Sequence, residues 1–282
     1  MWQRRFNRSR GATVASLVAL VAMATLLAAI LIPAITRARE TANRVKCAGN
    51  MRQIGQAMLL YANDNHGVYP RTIFQGGDTV IPDVSNAGAN STNPFAIDTT
   101  VPANCIPSAL FLLMRTEDIA STAFCCPSTS AKADDFGGGG NGSLDRSNFS
   151  DLRANLSYSL ANPYPDNQAM ASGFKMNTSI DPGFVILADK NPGVVSGSDV
   201  LSVTTDSSLA QMRRANSLNH GRDGQNVLFA DGHVEFDDTP LVGINHDNIY
   251  CRGAGGPGSD KSDLVNSPKD ASDSVLLPAE GN

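Results

Sequence analysis

The strongest constraint on this chain is a stretch of 26 residues, 11–36, that contains no charged side chain. A helix of that length spans about 39 Å, more than the roughly 30 Å hydrocarbon core of a bilayer. A cleaved secretory signal has an apolar region of only about 7–15 residues, so this stretch is too long for one. The sequence therefore predicts an uncleaved transmembrane helix over residues 12–36, preceded by a basic leader over residues 1–11.

The helix is expected to continue beyond the membrane. Residues 37–63 contain no Pro, and their apolar side chains recur at every third or fourth position: Cys47, Met51, Ile54, Met58 and Tyr61. That spacing places these side chains on one face of an amphipathic helix. The segment "NDNHGVYP" (63–70) then supplies the Asn, Gly and Pro that end helices. The sequence thus predicts an amphipathic spine helix over residues 37–66 that packs on a soluble domain.

The rest of the chain predicts a soluble domain over residues 67–250, followed by an extended, polar C-terminal tail over residues 251–282. The segments 156–164 and 184–190 are apolar enough to be strands. In the tail, the segment "DSVLLP" (273–278) is the part that could pack onto the domain. The expected fold class is α+β, with the long N-terminal helix packed on an antiparallel β-sheet that carries large loop insertions.

The segment "NVLFADGHVEF" (226–236) predicts a β-hairpin. Its two-residue loop, Asp231 and Gly232, favours a type I′ turn, in which both residues have positive φ. In the register of that turn, Phe229 faces Val234. The apolar side chains then share one side of the ribbon: Val227, Phe229, Val234 and Phe236. The turn alone explains Asp231 and Gly232, so we expect both to be structural, with no metal bound there.

His220 lies in a Gly-rich loop, "LNHGRDGQN" (218–226), and has two interpretations. It can hydrogen-bond a loop carbonyl, or it can bind a metal together with His233, Asp223 or Asp189. A catalytic site would also need a nucleophile or metal and a pocket, which the sequence does not indicate. We therefore expect no enzyme activity and no cofactor. The enzyme alternative is a metal-dependent hydrolase that uses His220, Asp231 and His233.

The cysteines are five in number, so at least one is free or pairs with another chain. Cys125 and Cys126 are neighbours, and the geometry of a disulfide rarely allows neighbours to bridge. The expected role is structural, as buried or disulfide-bonded residues. If the domain lies outside the cytoplasm, bridges can form among four of them: Cys105, Cys125, Cys126 and Cys251.

The chain resembles the type IV pilin-like proteins and pseudopilins. The resemblance rests on the basic leader, Gly11, the uncharged helix with Pro33 near its end, and the segment "RARETANRVKCAGNMRQIGQAMLLYANDNHGVYP" (37–70). Most similar is the planctomycete-type group with a prepilin-like N-terminus and a C-terminal signature of His, about nine residues, then Asp-Gly. The matching residues here are His220, Asp231 and Gly232, with ten residues between His220 and Asp231.

The resemblance implies processing of the N-terminus. Prepilins are cut after a Gly, here Gly11, and the new N-terminal residue, here Ala12, is methylated. Ala12 stands where the family usually has Phe. Ser16 stands where the family has a Glu that is thought to pair with a neighbouring N-terminus during fibre assembly. A prepilin peptidase and other pilin-like subunits are the implied protein partners, beside membrane lipid.

The implied function is that of a structural or assembly component of a pilus or a type II secretion-like envelope system. Such a protein passes once through the cell inner membrane and holds its soluble domain on the extracytoplasmic side. The alternative is a membrane-anchored envelope module that binds a polysaccharide, a protein or an ion. A net charge of −5 and a pI near 5.3 give no indication of nucleic-acid binding.

Overall fold

The computed structural model describes residues 14–256, 258–259 and 261–280. The predicted leader and its processing residues, Gly11 and Ala12, lie outside the described residues. The chain divides into two compact units between Ala42 and Asn43.

Helix α1 extends from Val14 to Asp64, a length of 51 residues. Within the first unit its large apolar side chains, from Leu17 to Ile35, are 52–66 % exposed. It is the one helix among the described residues that is long and apolar enough to cross a membrane. Apolar surface gains about 25 cal/mol per Å² when it leaves water. This part of α1 is therefore compatible with a membrane anchor.

The second unit is organised around an antiparallel sheet. Its strands are β1 (Tyr158–Ala161), β2 (Val185–Asp189), β3 (Gln225–Phe229), β4 (Val234–Asp237) and β5 (Leu276–Leu277). They lie side by side in the order β4-β3-β2-β1-β5. Strands β1, β2 and β3 are buried along their whole length, so both faces of the central sheet are covered. A long helix with a separate antiparallel sheet confirms the predicted α+β class.

Shorter helices fill the connections between strands. The α-helices are α2 (Ile106–Thr116), α3 (Leu152–Asn155), α4 (Asn167–Ala171) and α5 (Leu209–Ala215). Single turns of 3₁₀-helix occur at Ser121–Phe124, Ser143–Asp145, Ile244–His246 and Lys261–Asp263. Helix α2 is buried from Ile106 to Met114 and belongs to the same core as the sheet.

Within the second unit, helix α1 buries one face. Cys47, Met51, Ile54 and Met58 are fully buried, and the next member of the stripe, Tyr61, is 8 % exposed. All five belong to one hydrophobic core that includes residues of the sheet. This confirms the predicted stripe. On the same face, a Cβ added at Gly55 would lie 2.9 Å from Cδ2 of Leu228, so the missing side chain allows a close approach to β3.

The β3–β4 hairpin forms, but the predicted two-residue turn is wrong. Leu228 pairs with Val234, and the amide of Phe229 donates to the carbonyl of His233. The loop therefore contains three residues, 230–232. Of these only Gly232 has a positive φ, of 90°, as expected for a type I turn followed by a left-handed residue.

The side chain of Asp231 explains why the loop has three residues rather than two. Its Oδ1 accepts a hydrogen bond from the backbone N–H of His233 at 3.0 Å, which holds a turn in which Asp231 needs no positive φ.

The altered register changes which side chains share a face. Phe229 lies on the side of His233, where the two rings stack with centroids 4.3 Å apart. Phe236 pairs instead with Asn226. The predicted grouping of apolar residues on one side of the ribbon is therefore wrong, because a slip of one residue moves each side chain to the other face.

Gly232→Val should lower the free energy of unfolding by about 1–3 kcal/mol, because a β-branched residue resists positive φ. A Cβ at Gly232 would meet no described atom within 4 Å, so the cost comes from the backbone alone. Gly232→Asn is the matched control and should cost less, since Asn tolerates positive φ. Thermal melts of the full-length protein in detergent measure both. Equal melting temperatures for Gly232→Val and the parent would contradict this role of the turn.

The stretch after residue 250 was expected to be an extended polar tail, yet it contributes to the core. Leu276 and Leu277 pair with β1 as the edge strand β5. Both are fully buried, and Val275 and Ala279 are 1 % exposed. The part that packs is the apolar segment 273–278 named above, because burial removes its apolar side chains from water.

Candidate functional site

Four chemically active side chains meet inside the second unit: Cys47, Cys126, Asp189 and His220. We call them the buried cluster. Their thiol, carboxylate and imidazole donor atoms all lie within 4.8 Å of one another. Cys47, Cys126 and Asp189 are fully buried and His220 is 3 % exposed. The chain therefore concentrates sulfur, oxygen and nitrogen donors at one point in its core.

Each member of the cluster is placed by a different element. Cys47 lies on the buried stripe of α1, and Asp189 is the last residue of β2. Cys126 follows the 3₁₀ turn Ser121–Phe124. His220 lies in the loop between α5 and β3, which reverses direction at Gly221 and Arg222, each with a φ of 65°.

The donor atoms converge in pairs. Cys47 Sγ lies 3.2 Å from Asp189 Oδ1. His220 Nε2 lies 3.3 Å from Asp189 Oδ2 and 3.6 Å from Cys126 Sγ. The same imidazole nitrogen thus faces both the carboxylate and the second thiol.

Polar groups around the cluster hold the Asp189 carboxylate. Asn219 Nδ2 donates to Oδ1 at 2.8 Å, and the backbone N–H of Asn226 donates to Oδ2 at 2.6 Å. The hydroxyl of Tyr250 donates to the Asp189 carbonyl at 2.9 Å. A buried carboxylate is tolerated only when such donors replace water. The surroundings therefore fix the orientation of Asp189.

The cluster shifts the proton affinities of its members. Burial, and after it the hydrogen bond with Cys126, raises the pKa of Cys47 far above that of an ordinary thiol. The hydrogen bond from Cys47 lowers the pKa of Cys126 to about 6; burial opposes this shift and His220 adds to it. Burial lowers the pKa of His220, but Asp189 and Cys126 outweigh burial and raise it to about 10. These shifts favour a protonated thiol at Cys47, a thiolate at Cys126 and an imidazolium at His220.

This geometry does not fit a cysteine nucleophile of a catalytic triad. In a triad, one imidazole nitrogen faces the nucleophile and the other faces the carboxylate. Here Nε2 of His220 faces both Cys126 and Asp189. Both side chains are also fully enclosed, which leaves no room for a substrate at the sulfur. Convergence of four donors on one point is instead the arrangement of metal ligands.

The structure separates the residues of the predicted signature. His220 lies in the buried cluster, whereas Asp231 and Gly232 lie in the exposed turn of the hairpin. His233 Nδ1 pairs with Asp231 Oδ1 at 2.5 Å on that exposed turn. Asp223 pairs with Arg44 at 2.9 Å and also contacts Arg213. Of the metal-binding partners considered for His220, only Asp189 lies beside it.

Sequence reasoning missed the two cysteines of the cluster. It assigned Cys47 only to the apolar stripe and Cys126 to structural or disulfide-bonded roles. Of the two expected alternatives for the cysteines, the structure shows the buried one: all five cysteines, each within the described residues, are free thiols, and all but Cys125 are buried. No short motif could have revealed the cluster, since its members are scattered along the chain. The usable signals were a cysteine on the buried stripe and a carboxylate ending an apolar strand.

Comparisons with protein-family models, with curated proteins and with solved structures each find no match. Any functional assignment therefore rests on the fold, the buried cluster and the residues of the sequence.

Proposed function

We propose that this chain is a membrane-anchored, pilin-like structural or assembly component of a pilus or a type II secretion-like envelope system. Helix α1 is the observation that supports this proposal. Its residues 14–36 are exposed on all sides, whereas its residues 47–62 bury one face in the core of a domain with an antiparallel sheet.

The two parts of the helix have different solvent requirements. A helix that is apolar all round belongs in lipid or among other apolar helices, whereas a helix with one apolar stripe belongs on the surface of a soluble domain. A subunit stored in a membrane and later packed helix against helix in a fibre needs both patterns in one helix. Following the resemblance, we place the anchor in the cell inner membrane as a single pass, with the soluble domain on the extracytoplasmic side.

The test uses the full-length chain, produced with a prepilin peptidase and extracted from membranes. Mass spectrometry should show a chain that has lost residues 1–11 and begins with a methylated Ala12. The membranes should also yield filaments or ladders of cross-linked subunits. An intact Met1 together with a strictly monomeric protein would contradict the proposal, and retention of a polysaccharide by that monomer would favour the anchored binding module.

A pair of variants separates anchoring from folding. Leu26→Arg with Ile30→Arg places two charges in the apolar segment, at about 2.5–3.5 kcal/mol each near the centre of a membrane helix. This double variant should be absent from the membrane fraction and should form no filaments. Leu59→Arg with Leu60→Arg is the control, since these leucines are also exposed but lie beyond the apolar segment. The control should remain in the membrane fraction.

A further inference from the structure

Three distances within the buried cluster are close to those of a four-coordinate metal site. For zinc, bonds of about 2.3 Å to sulfur and about 2.0–2.2 Å to nitrogen and oxygen place tetrahedral ligands roughly 3.3–3.8 Å from one another. Cys47 Sγ lies 3.2 Å from Asp189 Oδ1, and His220 Nε2 lies 3.3 Å from Asp189 Oδ2 and 3.6 Å from Cys126 Sγ. Taking one ligand atom from each side chain, the four atoms all lie within 4.8 Å of one another. Three contacts are thus close to the separations that such an ion requires, and the remaining separations between ligand atoms lie within about 1 Å of them.

The types of donor narrow the choice of ion. Two thiolates and an imidazole favour a thiophilic transition metal over Ca²⁺ or Mg²⁺, which take oxygen ligands. A carboxylate as the fourth ligand is also common for Zn²⁺. We infer that Cys47, Cys126, Asp189 and His220 bind one Zn²⁺ ion, or a divalent transition metal of the same class, as a closed structural site.

Several features identify the site as structural rather than catalytic. The protein supplies all four donors, so no position stays open for water or substrate. Metal ligands are deprotonated, so Cys47 and Cys126 would bind as thiolates and His220 as a neutral imidazole. Two thiolates and a carboxylate leave the Zn²⁺ centre with a formal charge of −1.

The polar groups around the site offset this charge. Asn219 and Asn226 donate to Asp189. The hydroxyl of Tyr158 lies 3.2 Å from Cys47 Sγ, within reach to donate to that thiolate. Such outer hydrogen bonds orient the ligands of a metal and tune its affinity.

The site would bind α1 to the sheet. Its ligands come from α1, from the segment after the 3₁₀ turn Ser121–Phe124, from the end of β2 and from the loop before β3. Since the metal binds the folded state only, its binding free energy adds to the free energy of unfolding. Within the second unit, the ion would join α1 to the sheet at Cys47, where the buried stripe begins.

The neighbouring cysteine provides a matched control. Cys125 is next to Cys126 in the chain, but it is only half-buried and is not part of the cluster. Full-length protein purified in detergent from zinc-supplied cells should contain about one zinc ion per chain, since four ligands make one site. Cys125→Ser should retain that zinc. Cys126→Ser should bind zinc at least about tenfold more weakly, because loss of a ligand costs at least as much as loss of a group that orients one.

Two further measurements on the parent protein test the zinc site even if Cys126→Ser fails to fold. Replacing zinc by Co²⁺ in the parent should produce a sulfur-to-cobalt charge-transfer absorption, which Cys125→Ser keeps. A zinc chelator should lower the melting temperature of the parent. A metal-free parent with five free thiols would overturn the inference. So would a parent in which Cys47 and Cys126 form a disulfide, shown by thiol counting under denaturing conditions without reductant.

Discussion

Ile54→Asp should unfold the second unit or lower its melting temperature by more than about 10 °C. That shift corresponds to a loss of several kcal/mol in the free energy of unfolding for a domain of this size. Ile54 is fully buried on the stripe of α1. A carboxylate at that position would be buried without a partner, which costs several kcal/mol. Loss of the isoleucine side chain removes about 2–5 kcal/mol more. Together these costs approach the whole stability of a typical domain.

Gln53→Asp is the control for this change. It introduces the same charge one residue earlier, where the side chain is exposed. An exposed substitution of this kind should change the stability by no more than about 0.5 kcal/mol. Circular dichroism melts of the full-length protein compare the two variants. Equal melting temperatures for Ile54→Asp and Gln53→Asp would show that the stripe is not part of the core.

The protein should lose stability as the pH rises from about 5 to 8, because a pair of buried carboxyl groups must ionise. Burial raises the pKa of Asp247 to about 8, and the charge of Asp273 adds to the shift. Burial also raises the pKa of Asp273 to about 6, although the backbone N–H groups of Lys269 and Gly253 oppose that shift. Both carboxyl groups are nearly enclosed, so solvent screens them little.

The direction of this pH dependence follows from the number of protons that the folded and unfolded chains bind. Both folded pKa values lie above 3.8, the ordinary pKa of an aspartate side chain. The folded chain therefore holds protons that the unfolded chain releases, and the stability from this pair is complete below about pH 4. It falls as the pH rises through the folded pKa values and is lost above about pH 8. The pair contributes several kcal/mol to the free energy of unfolding, and its loss corresponds to a fall of roughly 10 °C in melting temperature for a domain of this size.

Asp247→Asn tests the source of this dependence. The amide cannot ionise, and its oxygen can still accept the hydrogen bond that Ser274 N–H donates to Asp247 Oδ2 at 3.0 Å. Its melting temperature should therefore vary less between pH 5 and 8 than that of the parent. Asp206→Asn, at an exposed position, is the control and should keep the slope of the parent. Parallel pH profiles for Asp247→Asn and the parent would refute this assignment.

Local sequence patterns predicted the elements that depend on residues close together in the sequence. A run of 26 residues without charge can form only a helix in an apolar medium, so the first part of α1 followed from composition and length. The spacing from Cys47 to Tyr61 predicted the buried stripe, because side chains three and four residues apart share one face of a helix. The hairpin was likewise predictable from Asp231 and Gly232 between two apolar runs.

The register of that hairpin depended on more than its loop. Asp-Gly is compatible with a two-residue or a three-residue loop, and each places Phe229 opposite a different partner. The hydrogen bond from His233 N–H to Asp231, the stacking of Phe229 on His233 and the pairing of Leu228 beside Gly55 all support the observed register. The first two contacts lie within the hairpin, whereas the third joins β3 to α1 and is not contained in the pattern of the hairpin segment.

The sequence by itself determined a long apolar helix segment, a helix with one buried face and a set of apolar strands, because these depend on the order of neighbouring residues. Only the tertiary structure decided that Leu276 and Leu277 extend the sheet and that Cys47, Cys126, Asp189 and His220 meet. The members of the buried cluster are far apart along the chain, and loop closure across such distances costs little more than across short ones. Their meeting within 4.8 Å is therefore set by the tertiary packing of α1, the end of β2 and the two loops that carry Cys126 and His220.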